Sequence, residues 1–352
     1  MKTKKSDVLY CGVDEYKIQN ASPGIDTEMF KELVQMVKDR YRIHKRKDVQ
    51  GKPKPWTKNP IMQQYKFTNV RREHDRQSKY LIDSIVNNPE LTLEDKIVNC
   101  FMFRAWNNWS TLRDFGFPYS AQEIYHPKLK DQIRDIFVQL DANEPDRRWW
   151  SSAYNQGGTK CAWKFADADQ SDRLYKFGDD KKLSDDEWPD YEPIIALRPF
   201  HVGVWIGRQN IVEKILKAKD QQECFEVIRS VRGFAYFLAY QVFVDLTYIK
   251  EFPFSENEFT VAGPGCRKGL DLLFIDRTGL TYEECLFWLR DSWETLCGDL
   301  QIPWDADKLF SDLPEYDSCM NVMSIENCFC EFSKYMRAKT GQGKPKVKYK
   351  GV

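Results

Sequence analysis

The sequence has no run of about 18 consecutive apolar residues, so nothing in it reads as a membrane span. No apolar stretch follows its basic opening, MKTKKSDVLYCGVDEYK, and that opening does not read as a signal peptide. There is no C-x-x-C pair among the 10 cysteines. Cys328 and Cys330 form a C-x-C without neighbouring His or Cys to complete a zinc set, so no metal site is expected. The cysteines read as reduced thiols of a cytoplasmic protein. No G-x-x-x-x-G-K-[ST] is present, which argues against phosphotransfer through a P-loop. Net charge is also missing: 53 Lys+Arg stand against 53 Asp+Glu. Balance of that kind excludes whole-molecule polycation behaviour but not local basic surfaces.

What is present is aromatic and helical. Aromatics make up 14% of the 352 residues, with 11 Trp, suited both to a core and to stacking on bases. Helical periodicity dominates, over Ile25–His44, Val70–Val86, Thr92–Phe115, Leu129–Leu140, Asn210–Ala218, Gln221–Ile249, Thr281–Leu296 and Ser324–Ala338. Strand-like alternation is confined to Ile194–Ile206. The expected class is mainly α. Residues 40–58 hold eight Lys/Arg against Asp48 alone, and with three nearby prolines they suggest a basic N-terminal extension over 1–58. A single domain is expected over 59–340. A polar insertion interrupts it at 141–192, with thirteen acids against eight bases. A basic, flexible tail is expected over 341–352.

Five segments could carry chemistry. In Val261–Asp271, Gly263-Pro264-Gly265 opens a helix beside Arg267 and Lys268. Helix-start amides bind phosphate oxygens, as in a helix–hairpin–helix that grips a DNA backbone; a plain turn is the alternative. In Phe67–Arg76, Arg71, Arg72 and Arg76 stand beside His74 and Asp75. That pattern suits a pyrophosphate clamp with an acid/base group, or a solvated face of ion pairs. On one helix Arg72 and Arg76 would share a face. In Phe103–Trp109, Arg104 and Asn107 sit among aromatics, and Gln241 and Asp245 lie one turn apart in an apolar helix. Buried polar groups of this kind lock helices together or line a pocket. In Ser324–Tyr335, Glu331 and Lys334 form a surface pair, or a base and a phosphate ligand.

In this order, FTNVRREHDRQSKYL, FRAWNNW, FLAYQVFVDLTY, FTVAGPGCRKGLDLLF and IENCFCEFSKY resemble the superfamily of the 5-hydroxymethyluracil DNA kinase helical domain and the α-glutamyl/putrescinyl-thymine pyrophosphorylases. Its members occur in bacteriophages that hypermodify thymine, with relatives in fungi and plants. The resemblance implies a helix–hairpin–helix, DNA glycosylase-like fold that flips a base out of double-stranded DNA. It also implies replacement of the pyrophosphate of activated 5-hydroxymethyluracil by an amine such as an amino acid. The missing P-loop favours this transferase branch over the kinase branch. The roles it suggests are Asp75, His74 or Glu331 as base and Arg71, Arg72, Arg76, Arg104, Asn107, Gln241 and Lys334 for substrate and pyrophosphate. Gly263, Pro264, Gly265, Arg267 and Lys268 would meet DNA, and Trp106 or Trp109 would stack on the flipped base. Mg2+ is the ion a departing pyrophosphate would recruit; the cofactor and the oligomeric state stay open. Glycosylases of this fold place an Asp after the hairpin, where this chain has Glu283 and Glu284 in the capping box Thr281-x-x-Glu284. Base excision, like a non-catalytic accessory role in DNA binding, is therefore the alternative.

Overall fold

The computed structural model describes residues 13–126, 128–144, 147, 198–231, 233–312, 320–343, 345 and 347–349. It divides into two units, Met1–Asp75 with Ser255–Val352, and Arg76–Phe254. The first unit begins with α1 (Glu15–Asn20), α2 (Thr27–His44) and α3 (Pro60–Gln64). The second holds α4 (Arg76–Leu81), α5 (Leu93–Trp106), α6 (Trp109–Asp114), α7 (Ala121–Ile124), α8 (Lys128–Asn143), α9 (Arg198–Arg208), α10 (Ile211–Leu216), α11 (Gln221–Ser230) and α12 (Tyr236–Leu246). The first resumes with α13 (Pro264–Leu273), α14 (Tyr282–Asp299), α15 (Ala306–Leu309) and α16 (Val322–Lys339). The class is mainly α, as expected. A short antiparallel pair, β1 (Gly24–Ile25) with β2 (Phe274–Asp276), sets Gly24 opposite Asp276.

In the first unit α2 starts at Asp26, whose carboxylate accepts from the amides of Glu28 and Met29. Phe30, Leu33, Val34 and Val37 fall on one face and are fully buried. This helix, which lies within 1–58, belongs to the core of the first unit. Part of the basic C-terminal stretch is hydrogen-bonded to this unit. Lys66 N–H donates to the Val347 carbonyl at 2.9 Å, and Tyr349 N–H donates to that of Gln64 at 3.1 Å. These bonds fasten Val347–Tyr349 beside α3.

The tightest contact in this unit is α13 against α16. A Cβ on Gly265 would stand 2.6 Å from Cys330 Sγ, and one on Gly269 only 2.3 Å from the Phe329 carbonyl oxygen. Two glycines one turn apart give α13 a flat strip on which the α16 backbone lies.

The second unit is organised by a buried ion pair. Arg104 Nε and Nη2 donate to the two Asp245 oxygens at 2.5 and 2.6 Å, and Nη1 donates to Asn107 Oδ1 at 2.9 Å. Both partners are buried, as is Gln241 one turn before Asp245. The expected helix Thr92–Phe115 is two helices, because Asn107 takes a left-handed conformation, φ 50°, and ends α5. The expected helix Gln221–Ile249 is also two, separated around Gly233 at φ 84°. The strand expected at Ile194–Ile206 is replaced by α9 from Arg198 onward, and Ile194–Leu197 lie outside the described residues. Of the 141–192 insertion, residues 145, 146 and 148–192 lie outside them too.

Two outcomes follow for stability. Asp245→Ala leaves a buried guanidinium without its counter-charge and should lower unfolding free energy by about 3–5 kcal/mol. Gly269→Ala forces α13 away from a backbone carbonyl and should lose about 1–3 kcal/mol. Gly298→Ala on α14, where an added Cβ meets nothing within 4 Å, should be neutral or stabilising. Denaturant unfolding of the three variants checks both, and equal effects at Gly269 and Gly298 would contradict the packing argument.

Candidate active site in the first unit

The segment Phe67–Asp75 is not the start of a long helix. Arg72–His74 form a single 3-10 turn, and Asp75 is extended, with ψ 143°. Asn69 closes the turn: its backbone N–H and its Nδ2 donate to Asp75 Oδ1 at 2.9 and 3.0 Å, and Nδ2 also donates to the His74 carbonyl at 2.9 Å. A local Asx hydrogen bond has outcompeted the helix. The helix expected over Val70–Val86 therefore breaks, and the shared face of Arg72 and Arg76 is lost. Arg76 opens α4 in the second unit, exposed, 5.9 Å from the Trp109 ring centre.

Two helices hold this segment. From α2, Arg40 Nε donates to the carbonyls of Phe67 and Thr68 at 3.0 and 2.9 Å. From α16, Asn327 Nδ2 donates to the Asn69 carbonyl at 2.7 Å, and Glu331 Oε2 accepts from Thr68 N–H at 3.3 Å. Lys334 Nζ donates to the other Glu331 oxygen. At the start of α13 the amide of Gly263 lies near the Glu326 carboxylate and favours its charged form. Arg72 Nη1 stands 3.8 Å from Glu326 Oε2.

Burial sets the proton affinities. It pushes the Glu326 carboxyl up to about 7, against the pull of the nearby Arg72 and the Gly263 amide. Burial also raises Asp75 to about 6, again opposed by the Asn69 amide and by Arg40 and Arg72. His74 moves the other way, down to about 4, through burial and the neighbouring His44. Two carboxyls that exchange protons near neutrality, beside Arg72 and Lys334, can perform acid/base chemistry next to a developing anion.

The residues expected at a site divide clearly. Asp75, Arg72, Glu331 and Lys334 come together in this unit. Arg71 is 1% exposed, with Nε on Glu73 at 2.8 Å and Nη2 on Glu256 at 3.2 Å, which gives it a holding role. Arg104, Asn107 and Gln241 are buried in the second unit. Trp106, 1% exposed with its ring edge-on to Phe115, has no face for a base, whereas Trp109 is half-buried. Gly263 caps α13 and Pro264 is its first residue, as expected, but Gly265 lies against Cys330. Arg267 and Lys268 are exposed, Arg267 with Nε on the Ala262 carbonyl. The Thr281/Glu284 capping box is formed. Sequence reasoning passed over Glu326: its motif was visible, but its burial against α13 depends on the glycine strip.

The two basic stretches also meet. Trp56 lies edge-on to Tyr349 at 5.2 Å, and Lys54 Nζ sits 5.6 Å from one ring and 5.4 Å from the other. Lys47 adds a charge over Trp56 and Lys66 one over Tyr349. Beside them a cleft of about 630 Å3 is lined by Arg42, Arg46, Lys58 and Lys339, among others.

The family model for the helical domain of 5-hmdU DNA kinase matches residues 27–345. The chain is similar to the 5-hmdU DNA kinase of Bacillus phage SP10, 25% identical over 311 residues, which cover 84% of this chain and 43% of that protein. It thus spans less than half the length of this curated relative. No solved structure matches.

The raised carboxyls carry a sign for stability. Glu326 ionises at about 7 in the folded chain and at about 4.3 unfolded. Its contribution is full below the unfolded value and is lost as pH rises through the folded one. Asp75 acts in the same direction. Glu326→Gln should therefore melt higher relative to wild type at pH 8 than at pH 5. A constant difference between the two pH values would mean that Glu326 is not raised.

Proposed function

The chain belongs to the family of the 5-hmdU DNA kinase helical domain, and from that premise we propose that it is a DNA base-modifying transferase. Its substrate is double-stranded DNA carrying 5-hydroxymethyluracil activated as the pyrophosphate ester, and its co-substrate is an amine such as an amino acid. The observation that carries the reading is the pair Glu326 and Asp75. Both ionise near neutrality and both feel Arg72, within the stretch that the family model matches.

The chemistry follows from those groups. The methylene C–O bond breaks and its electron pair leaves with pyrophosphate. Arg72 and Lys334 stabilise the charge that gathers on the leaving group. An ammonium co-substrate gives its proton to the ionised Glu326 or Asp75, and the free amine nitrogen forms the new C–N bond. A carboxylate of ordinary acidity would be a weaker acceptor for that proton than one raised to about 7. The DNA backbone follows the Lys/Trp/Tyr surface around Trp56 and Tyr349, with Arg267 and Lys268 as further phosphate contacts.

The test is incubation with DNA containing pyrophosphorylated 5-hydroxymethyluracil and an amine mixture, then digestion to nucleosides and mass analysis. An amine adduct is expected. Free base would indicate excision, and unchanged DNA an accessory role. In single turnovers Glu326→Gln and Arg72→Ala should each be slower by about a hundredfold, with Arg76→Ala close to wild type. Affinity for DNA should fall steeply with salt as counterions are released. Lys54→Ala with Lys66→Ala should flatten that dependence; an unchanged slope would place the DNA elsewhere.

A further inference from the structure

Two of the chain's 4 histidines are stacked face to face, His44 on His74, with ring centres 4.0 Å apart and planes at 10°. They come from different elements, the end of α2 and the turn Arg72–His74. A third group, Asp312, follows α15. One donor atom from each of the three lies within 4.8 Å of the other two.

His44 and Asp312 are already oriented. His44 Nδ1 is 3.3 Å from Asp48 Oδ2, one turn further on. That contact places the ring proton on Nδ1 and leaves the Nε2 lone pair facing Asp312 Oδ2 at 3.7 Å. A carboxylate behind a histidine is the usual outer support of a metal ligand. Asp312 is held through its other oxygen, which accepts from Tyr41 OH at 2.8 Å and lies 3.7 Å from Lys45 Nζ. Oδ2 is thereby left toward the histidines. His74 Nδ1 is buried and has no hydrogen-bond partner among the described residues. A buried ring nitrogen in that state is a cost unless something binds it.

We propose that His44 Nε2, a ring nitrogen of His74 and Asp312 Oδ2 bind a divalent transition-metal ion of the zinc class, with Asp48 and Tyr41 as outer-shell supports. Ligands on a tetrahedral zinc ion are separated by about 3.4 Å, given bond lengths of about 2.0–2.2 Å. The 3.7 Å from His44 Nε2 to Asp312 Oδ2 closes to that value with a shift of a few tenths of an ångström, while the His74 ring must turn out of its stack on His44, because one ion cannot lie in the planes of two parallel rings. Two imidazoles with one carboxylate favour zinc, cobalt or nickel over Mg2+, which prefers oxygen ligands. Asp48, Asp312 and Glu73 supply negative charge around the site against Lys45, Lys47 and Arg71. A water would complete the shell. The ion would tie the turn Arg72–His74 to α2 and so position Arg72 and Asp75. The binding site itself does not rest on the transferase reading.

The test uses the full chain, stripped with a chelator and titrated with zinc chloride or cobalt chloride. Thermal melting should rise by several degrees and saturate at one ion per chain. The cobalt form should show a visible ligand-field band without thiolate charge transfer. His74→Gln and Asp312→Asn, which spare the deeply buried His44, should each abolish the saturable rise. Asp48→Asn should weaken metal affinity by about 10–100-fold, and Cys330→Ser should leave it unchanged. No rise in wild type, an equal rise with magnesium chloride, a rise that survives both ligand variants, or a thiolate band would overturn the proposal. Adduct formation is not part of the readout, so failure here leaves the transferase reading standing.

Discussion

Contact between the backbones of α13 and α16 is the constraint on which the first unit depends. Helix axes normally stand 8–10 Å apart because side chains intervene. At Gly269 none does, and the Phe329 carbonyl oxygen stands 2.3 Å from where a Cβ would be; at Gly265 only the Cys330 side chain of α16 intervenes. The start of α13 is thereby brought onto the first turns of α16. Glu326 meets the Gly263 amide there, with Arg72 across from it. Further along α16, Asn327 and Glu331 hold Thr68 and Asn69, and through Asn69 the turn that carries Asp75. Loosening the seam would move every acid/base group of the candidate site.

The same seam explains a competition between two effects on Glu326. A helix start attracts negative charge, which favours an ionised carboxyl. Burial disfavours it, and burial wins, leaving the group near neutrality. The helix-start amides that the sequence offers to a DNA phosphate are thus partly engaged by the protein's own carboxylate. The exposed cations nearest that helix start are Arg267 and Lys268.

Much of this was legible in the sequence where local rules govern. The helical class, the boxes at Thr92 and Thr281 and the start of α13 at Gly263 follow from short-range hydrogen bonding. The helix breaks were not legible. Asn69 turns its side chain onto Asp75, and Asn107 takes a left-handed conformation. Such choices are made by one Asn side chain or backbone, and periodicity does not register them. The site was legible in part, as Asp75, Arg72, Glu331 and Lys334. Glu326 was missed because its perturbation comes from burial by a helix 60 residues earlier in the chain, and Arg71 was overvalued because its partner Glu256 is 185 residues away.

The first unit is assembled from both ends of the chain around a contiguous second unit. A ribosome delivers Met1–Asp75 early, but α2 then has neither α13 nor α16 to cover its apolar face. The second unit has its whole sequence available once Phe254 emerges. Domains generally fold as they are completed during synthesis. The order of assembly should therefore run from the middle of the chain outward, and the exposed face of α2 becomes the segment most in need of a chaperone until the last helix is released.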